Sequence, residues 1–168
     1  MIYLKNKQTN EIKTFEVGNY LQLSKNIRDQ YVEATQKEID TYLLQEAKNS
    51  KTTEIQTAKE IDLYLNVSYN NKDFISSEKA VSNMTGAIIL DQDSYSWLDA
   101  YGNSVTMTVN DLRSLVGIIA TQRSLVYNKE ATKIKEINDA QTIEEVNLID
   151  WNLSFATSPG FVSGVIDS

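Results

Sequence analysis

An α+β fold dominated by helices, with short β-hairpins attached, is predicted by three features of the sequence. Glycine and proline are scarce, six and one in 168 residues, too few for the many turns of a strand-rich sandwich. Two stretches carry apolar residues three or four apart behind recognisable helix caps, the signature of long amphipathic helices. Between and before them, short alternating runs flank Asn- or Gly-containing turns, as hairpins do. Hydrophobic residues make up 41% and charged residues 23%, a balance that supports a folded core.

The first element is a hairpin. Residues 2–6 alternate apolar and polar, Lys7-Gln8-Thr9-Asn10 breaks the pattern, and Glu11 to Phe15 resumes it. A lone hairpin is marginal in water, so this one should dock on another element. Thr35 and Glu38 then form a capping box, with Ile39, Leu43, Ala47, Ile55, Ala58, Ile61 and Leu65 following at helical spacing. Asn49 to Thr53 is polar and a poor helix former, so a break is expected there. Leu65–Tyr69 and Asp73–Ser76 flank Asn70-Asn71-Lys72, a second hairpin whose asparagines tolerate left-handed backbone.

Ser77-Glu78 opens a helix with Val81, Met84, Ile88 and Ile89 on its apolar face. A third hairpin runs from Trp97 through Asp99-Ala100-Tyr101-Gly102-Asn103, where glycine supplies positive φ, to Ser104–Met107. Thr108 with Asp111 caps a helix reaching to about residue 138, some 45 Å at 1.5 Å per residue. Thr142-Ile143-Glu144-Glu145 caps a last short helix carrying Val146, Leu148 and Ile149, and 152–168 reads as an extended segment. These elements suggest three regions: 1–60 (hairpin and helix, an attachment region), 61–151 (hairpins and long helix) and 152–168.

Composition narrows the chemistry. Histidine and cysteine are both absent, which removes the usual neutral-pH base, thiolate nucleophiles and the commonest transition-metal ligands. The net charge of −7 and the lack of a basic run argue against nucleic-acid partners. No segment is long and apolar enough for membrane insertion, and the first residues lack a signal-peptide pattern. No cofactor or metal is expected. Asp91, Asp93 and Asp99 are spaced loosely as in a calcium loop, but Ser96 and Gly102 stand where such a loop needs glycine and glutamate, so a solvated acidic loop is the better reading. Glu144 and Glu145 could form an acid/base pair, but their place beside a helix N-cap explains them by dipole stabilisation alone.

The stripe Leu112, Leu115, Ile119, Leu125, Ile134, Ile137 has near-heptad spacing and, with Tyr101, forms the candidate interface. A homo-oligomer, trimer or dimer, would use it as a coiled coil. Gln122, Arg123 and Glu130 interrupt the stripe, which favours packing against helix 35–65 of the same chain instead.

The run from Trp97 to Trp151 resembles a domain of uncharacterised function in bacteriophage tail-fibre and tail-fibre-assembly proteins. The likeness rests on Trp97, the Asp99…Gly102-Asn103 turn, Thr108 with Asp111-Leu112, Lys135-Glu136-Ile137 at the end of the long helix, and Thr142-Ile143-Glu144-Glu145-Val146. It covers roughly residues 60–150, and Met1 to Phe15 is similar to the N-terminal hairpin of such proteins. The resemblance implies a non-enzymatic tail protein, structural component or assembly factor, partnered by fibre or baseplate subunits. It would act in the bacterial host cytoplasm during assembly and in the virion tail. Two other classes are weighed against it: a phage polysaccharide hydrolase or lyase, which needs facing carboxylates in a cleft, and a prophage regulatory or inhibitor protein, which needs a contiguous acidic stripe.

Overall fold

The computed structural model describes residues 1–152 and has the expected helix-dominated α+β architecture. The extended segment anticipated over 152–168 lies, from 153 on, outside the described residues. The chain divides into two units, Met1–Thr52 with Ile137–Leu148, and Thr53–Glu136 with the residues from Ile149. The division thus falls inside both long helices, where the sequence reading placed a boundary at residue 60.

In the first unit, β1 (Ile2–Asn6) is central in a three-stranded antiparallel sheet, between β2 (Ile12–Phe15) and β3 (Tyr31–Glu33). Ile2 pairs with Phe15 and Lys5 with Ile12, while Leu4 pairs with Glu33. Asn6 closes the hairpin loop by accepting from the amides of Gln8 (2.8 Å) and Thr9 (3.1 Å), and Asn10 takes a positive φ of 60°. The hairpin does dock: Tyr3 meets Tyr42 edge-on at 6.3 Å, and Lys5 pairs with Glu38 at 2.5 Å. Phe15 packs on Tyr20 and Tyr31. The short helices α1 (Val17–Gln22) and α2 (Lys25–Arg28), like β3, have no counterpart in the sequence reading. Each is too short for a periodic signal to accumulate.

α3 (Gln36–Leu63) is unbroken, correcting the expected interruption at Asn49–Thr53. The polar stretch is held by bonds a propensity scale does not see. Gln45 donates to Asn49 one turn on (3.0 Å), and Lys48 donates to the Asn138 carbonyl (2.8 Å). The Thr35–Glu38 capping box forms, with Glu38 accepting from the Thr35 amide at 2.9 Å. α6 (Ile143–Leu148) completes this unit and buries Val146, while Leu148 stays 78% exposed.

The second unit is built on Val67, Phe74, Met84, Ala87, Met107, Leu112, Leu115 and Ile119, with Tyr95, Trp97 and Val105 partly buried against them. β4 (Val67–Tyr69) and β5 (Lys72–Phe74) form the second hairpin. Asn70 and Asn71 stand at φ of 48° and 57°, so a two-residue turn of mirror-image type joins the strands, matching their twist. β6 (Ser94–Leu98) and β7 (Ser104–Thr108) form the third hairpin, with Gly102 at φ +84° as its turn requires. α4 (Glu78–Leu90) starts at Ser77, whose hydroxyl accepts from the Ala80 amide. α5 (Val109–Asp139) starts at Thr108, whose amide donates to Asp111 at 2.8 Å. Along α4 the buried residues are Met84 and Ala87; Val81 and Ile88 are half-buried, and Ile89 is 76% exposed rather than on the core face.

Candidate protein interface

Of the stripe expected to form the interface, most lies inside the chain. Leu112, Leu115, Ile119 and Ile137 are all at most 2% exposed, and Ile134 is half-buried, so these residues are core and not docking surface. The buried line runs through Val126 (7% exposed) and Lys133 (5%) rather than Leu125, which is 52% exposed. Seven residues are two turns of a helix, so Val126 follows Ile119 on the same face and Leu125 is turned about 100° away. Tyr101 is 75% exposed at the tip of the third hairpin, its hydroxyl donating to Asp73 at 3.0 Å.

The polar residues that seemed to interrupt the stripe are partners along it. Gln122 donates to the carbonyls of Asp62 (3.4 Å) and Leu65 (3.5 Å) at the end of α3. Glu130 pairs with Lys59 at 3.5 Å, and Lys129 with Asp62 at 3.6 Å. Trp151 closes this seam: its indole N–H donates to Asp62 at 2.6 Å, and the Lys129 ammonium sits 4.0 Å above its ring. Arg123 donates to the Ser76 carbonyl at 2.7 Å.

The acidic groups weighed for chemistry are occupied in local structure. Asp99, 5% exposed, accepts from the Tyr101 and Asn103 amides and the Asn103 side chain, at 2.8–2.9 Å. Glu145 accepts from the Gln141 amide at 2.6 Å and receives the reciprocal cap from Thr142. Asp91 ends α4 in left-handed backbone. Among the described residues no group of three or more acidic side chains converges as a metal site would need. Surface depressions in the first unit are shallow; one of about 490 Å³ is lined by Lys5, Lys37, Glu38 and Tyr42 among others, and there Lys5 and Glu38 are paired with each other.

Hydrogen bonding sets how these carboxylates titrate. The Lys5 ammonium, then the Thr35 amide and hydroxyl, lower Glu38 to a pKa of about 2. The Asn103 side chain, then backbone amides, hold Asp99 below the usual range. The Thr108 hydroxyl and amide, with Tyr69, do the same for Asp111. A depressed folded pKa means that stability is fully present above the unfolded value near pH ~4 and is lost as pH falls through the folded one. Thermal stability should therefore fall between about pH 4 and pH 2, and Lys5→Met, by raising the folded pKa of Glu38 toward its unfolded value, should lower stability at neutral pH and shrink that fall.

The surface that stands out is uncharged. Residues 80–90 carry no charge and 114–128 carry only Arg123, in a chain that is 23% charged. Arg123 reaches Ser76 just before α4, and Arg113 lies 3.7 Å from Asp91 just after it. α4 therefore runs antiparallel along the first half of α5. Over residues 80–90 and 114–128 the exposed positions are uncharged, with Ser, Thr, Gly, Ala, Asn and Tyr beside Ile89 and Leu90 at 76% and 69% exposure and Ile118 and Leu125 at 39% and 52%. The exposed hydroxyls of Thr85, Ser114, Thr121 and Thr132 all donate to the carbonyl four residues back, at 2.9–3.0 Å. Their hydrogen-bond donors are thus spent on their own helix.

Two glycines sharpen the point. Gly86 and Gly117 lie inside α4 and α5, and a Cβ on either would meet nothing within 4 Å. A mid-helix glycine costs about 0.5–1 kcal/mol relative to alanine, and nothing among the described residues requires either one. Gly86→Ala and Gly117→Ala should each stabilise the free protein by that amount, ~0.5–1 kcal/mol in urea denaturation. No long-range sequence signal was needed to find this face. The lack of charge is legible in the sequence; which of these positions face outward needs the helical phase counted from the buried residues, because apolar periodicity passes over uncharged exposed positions.

No family model matches the chain, and no curated protein and no solved structure does either.

Proposed function

We propose that this chain is a non-enzymatic binding protein that works by docking the outer face of α4 and α5 on other subunits. The observation that carries the reading is the uncharged exterior of those two helices, with hydroxyls bonded inward and two glycines the monomer does not need. Contiguous uncharged surface with exposed Ile and Leu is what partner proteins bury. The carboxylates suited to acid/base work are instead engaged in caps and turns, which favours binding over hydrolysis.

The setting we propose is the bacteriophage tail, as a component or assembly factor of the fibre or baseplate. It rests on the resemblance of residues 60–150 described above. Two measurements test it. Mass spectrometry of purified particles and of assembly intermediates would detect the chain with tail subunits. Co-expression with fibre or baseplate subunits should give a complex that Leu125→Glu weakens and Gln8→Glu, in the hairpin loop of the first unit, leaves intact. Absence from both particles and intermediates would remove the tail role; a complex indifferent to Leu125→Glu would remove the α4–α5 face as its site.

A further inference from the structure

We infer that α5 pairs with α5 of a second copy of this chain, antiparallel, about a two-fold axis passing through Thr121. The inference rests on the binding reading above and names the occupant of that face.

The face is self-complementary. At 100° per residue, Gly117, Ile118, Thr121, Ser124 and Leu125 share an outward arc of roughly 120°, and all five are exposed. Reversing the helix about Thr121 sets Gly117 opposite Leu125 and Ile118 opposite Ser124. Each bulky side chain then meets a small one, as ridges meet grooves, and each two-fold-related contact occurs twice, as an isologous interface demands. Thr121 meets its own copy with its hydroxyl already bonded to the Gly117 carbonyl at 3.0 Å, so methyl faces methyl on the axis. Gly117, with open space at its Cβ position, is where the opposing Leu125 comes closest.

Charge selects the same partner. A chain of net charge −7 repels its own copy wherever acidic surface meets acidic surface. The α5 exterior presents no carboxylate between Asp111 and Glu130, and this is the span the pairing covers. A helix pair of this length, widened by Ile89 and Leu90, buries on the order of 1,000 Å² in total, at the low end of specific interfaces. The dimer is therefore expected to form in the micromolar range and to dissociate on dilution.

The chain has no cysteine, so single-cysteine variants report the geometry directly. Helices packed at ~8 Å bring the two Thr121 Cα atoms within disulfide reach, whereas Gly117 and its own copy are offset by ~12 Å along the axis. Sedimentation analysis of the intact protein from ~5 to ~500 µM should show a monomer–dimer equilibrium, and Thr121→Glu should weaken it at least ~10-fold while circular dichroism stays unchanged. On mild oxidation Thr121→Cys should cross-link to itself, and Gly117→Cys mixed with Leu125→Cys should cross-link to each other but not to themselves. Gln8→Cys, exposed in the hairpin loop of the first unit, serves as the control for random collision. A monomer at every concentration overturns the self-pairing, as does a dimer that ignores Thr121→Glu or cross-links no faster through Thr121→Cys than through Gln8→Cys. Because capture of tail subunits is measured separately, loss of the dimer with capture retained would remove the second copy and leave the binding reading standing.

Discussion

Leu115→Ala is expected to destabilise the protein by about 2–5 kcal/mol, whereas Leu125→Ala should change the stability of the free chain by less than ~1 kcal/mol. Both are leucines on α5 and both belong to the same near-heptad series in the sequence. Leu115 is 0% exposed among Met84, Phe74 and Met107 in the core of the second unit, while Leu125 is 52% exposed. Truncating the buried side chain forfeits its transfer free energy and leaves a cavity that the helices and the hairpins around it refill only in part. Truncating the exposed one removes surface that water already touches. Urea denaturation followed by tryptophan fluorescence reads both, since Trp97 packs against the cluster that contains Leu115. Equal effects of the two substitutions would show that the phase of α5 differs from the one described. The comparison also separates stability from binding: the variant that barely moves the denaturation midpoint is the one expected to impair docking.

The second large effect concerns Trp151. Trp151→Ala should cost about 3–5 kcal/mol, in the range for removing a buried large aromatic, because the indole is 4% exposed. Trp151→Phe keeps most of that volume but deletes the donor to Asp62 at 2.6 Å. It should cost about 1–3 kcal/mol, the range for stranding one member of a buried hydrogen bond. Asp62→Asn is informative beside it. The indole N–H would still find the amide oxygen, but the Lys129 ammonium, 3.6 Å from the carboxylate, would lose its counter-charge and keep the ring contact at 4.0 Å. A smaller loss for Asp62→Asn than for Trp151→Phe is expected, because the ion pair is partly screened and the hydrogen bond survives. If Trp151→Phe were silent, the seam would be held by the ring alone.

These two sites mark where the sequence was readable and where it was not. The caps at Thr35–Glu38, Thr108–Asp111 and Thr142–Glu145 are all local, each a side chain meeting a backbone amide three residues away, and all three form. The Asn70-Asn71 and Gly102 turns are local for the same reason, since they depend on the φ that one or two residues tolerate. By contrast, Gln122, Arg123 and Glu130 looked like breaks in a stripe. Their partners are Asp62, Leu65, Ser76 and Lys59, tens of residues distant along the chain, and no periodicity window spans that separation. The choice between Leu125 and Val126 failed in the same way. Adjacent apolar residues are equivalent to a pattern search, and only the direction of the core distinguishes them.

Alone, then, the amino-acid order determined the helical character of the chain, the start of each long helix, the three hairpins and the absence of imidazole and thiol chemistry, because each of these is set by residue identity or by neighbours within one turn. Tertiary structure decided which side of α5 is core, that α3 runs through its polar middle unbroken, and which of the uncharged residues of α4 and α5 face outward. Those outcomes depend on side chains brought together from distant positions, where burial and pairing outweigh propensities of a few tenths of a kcal/mol per residue.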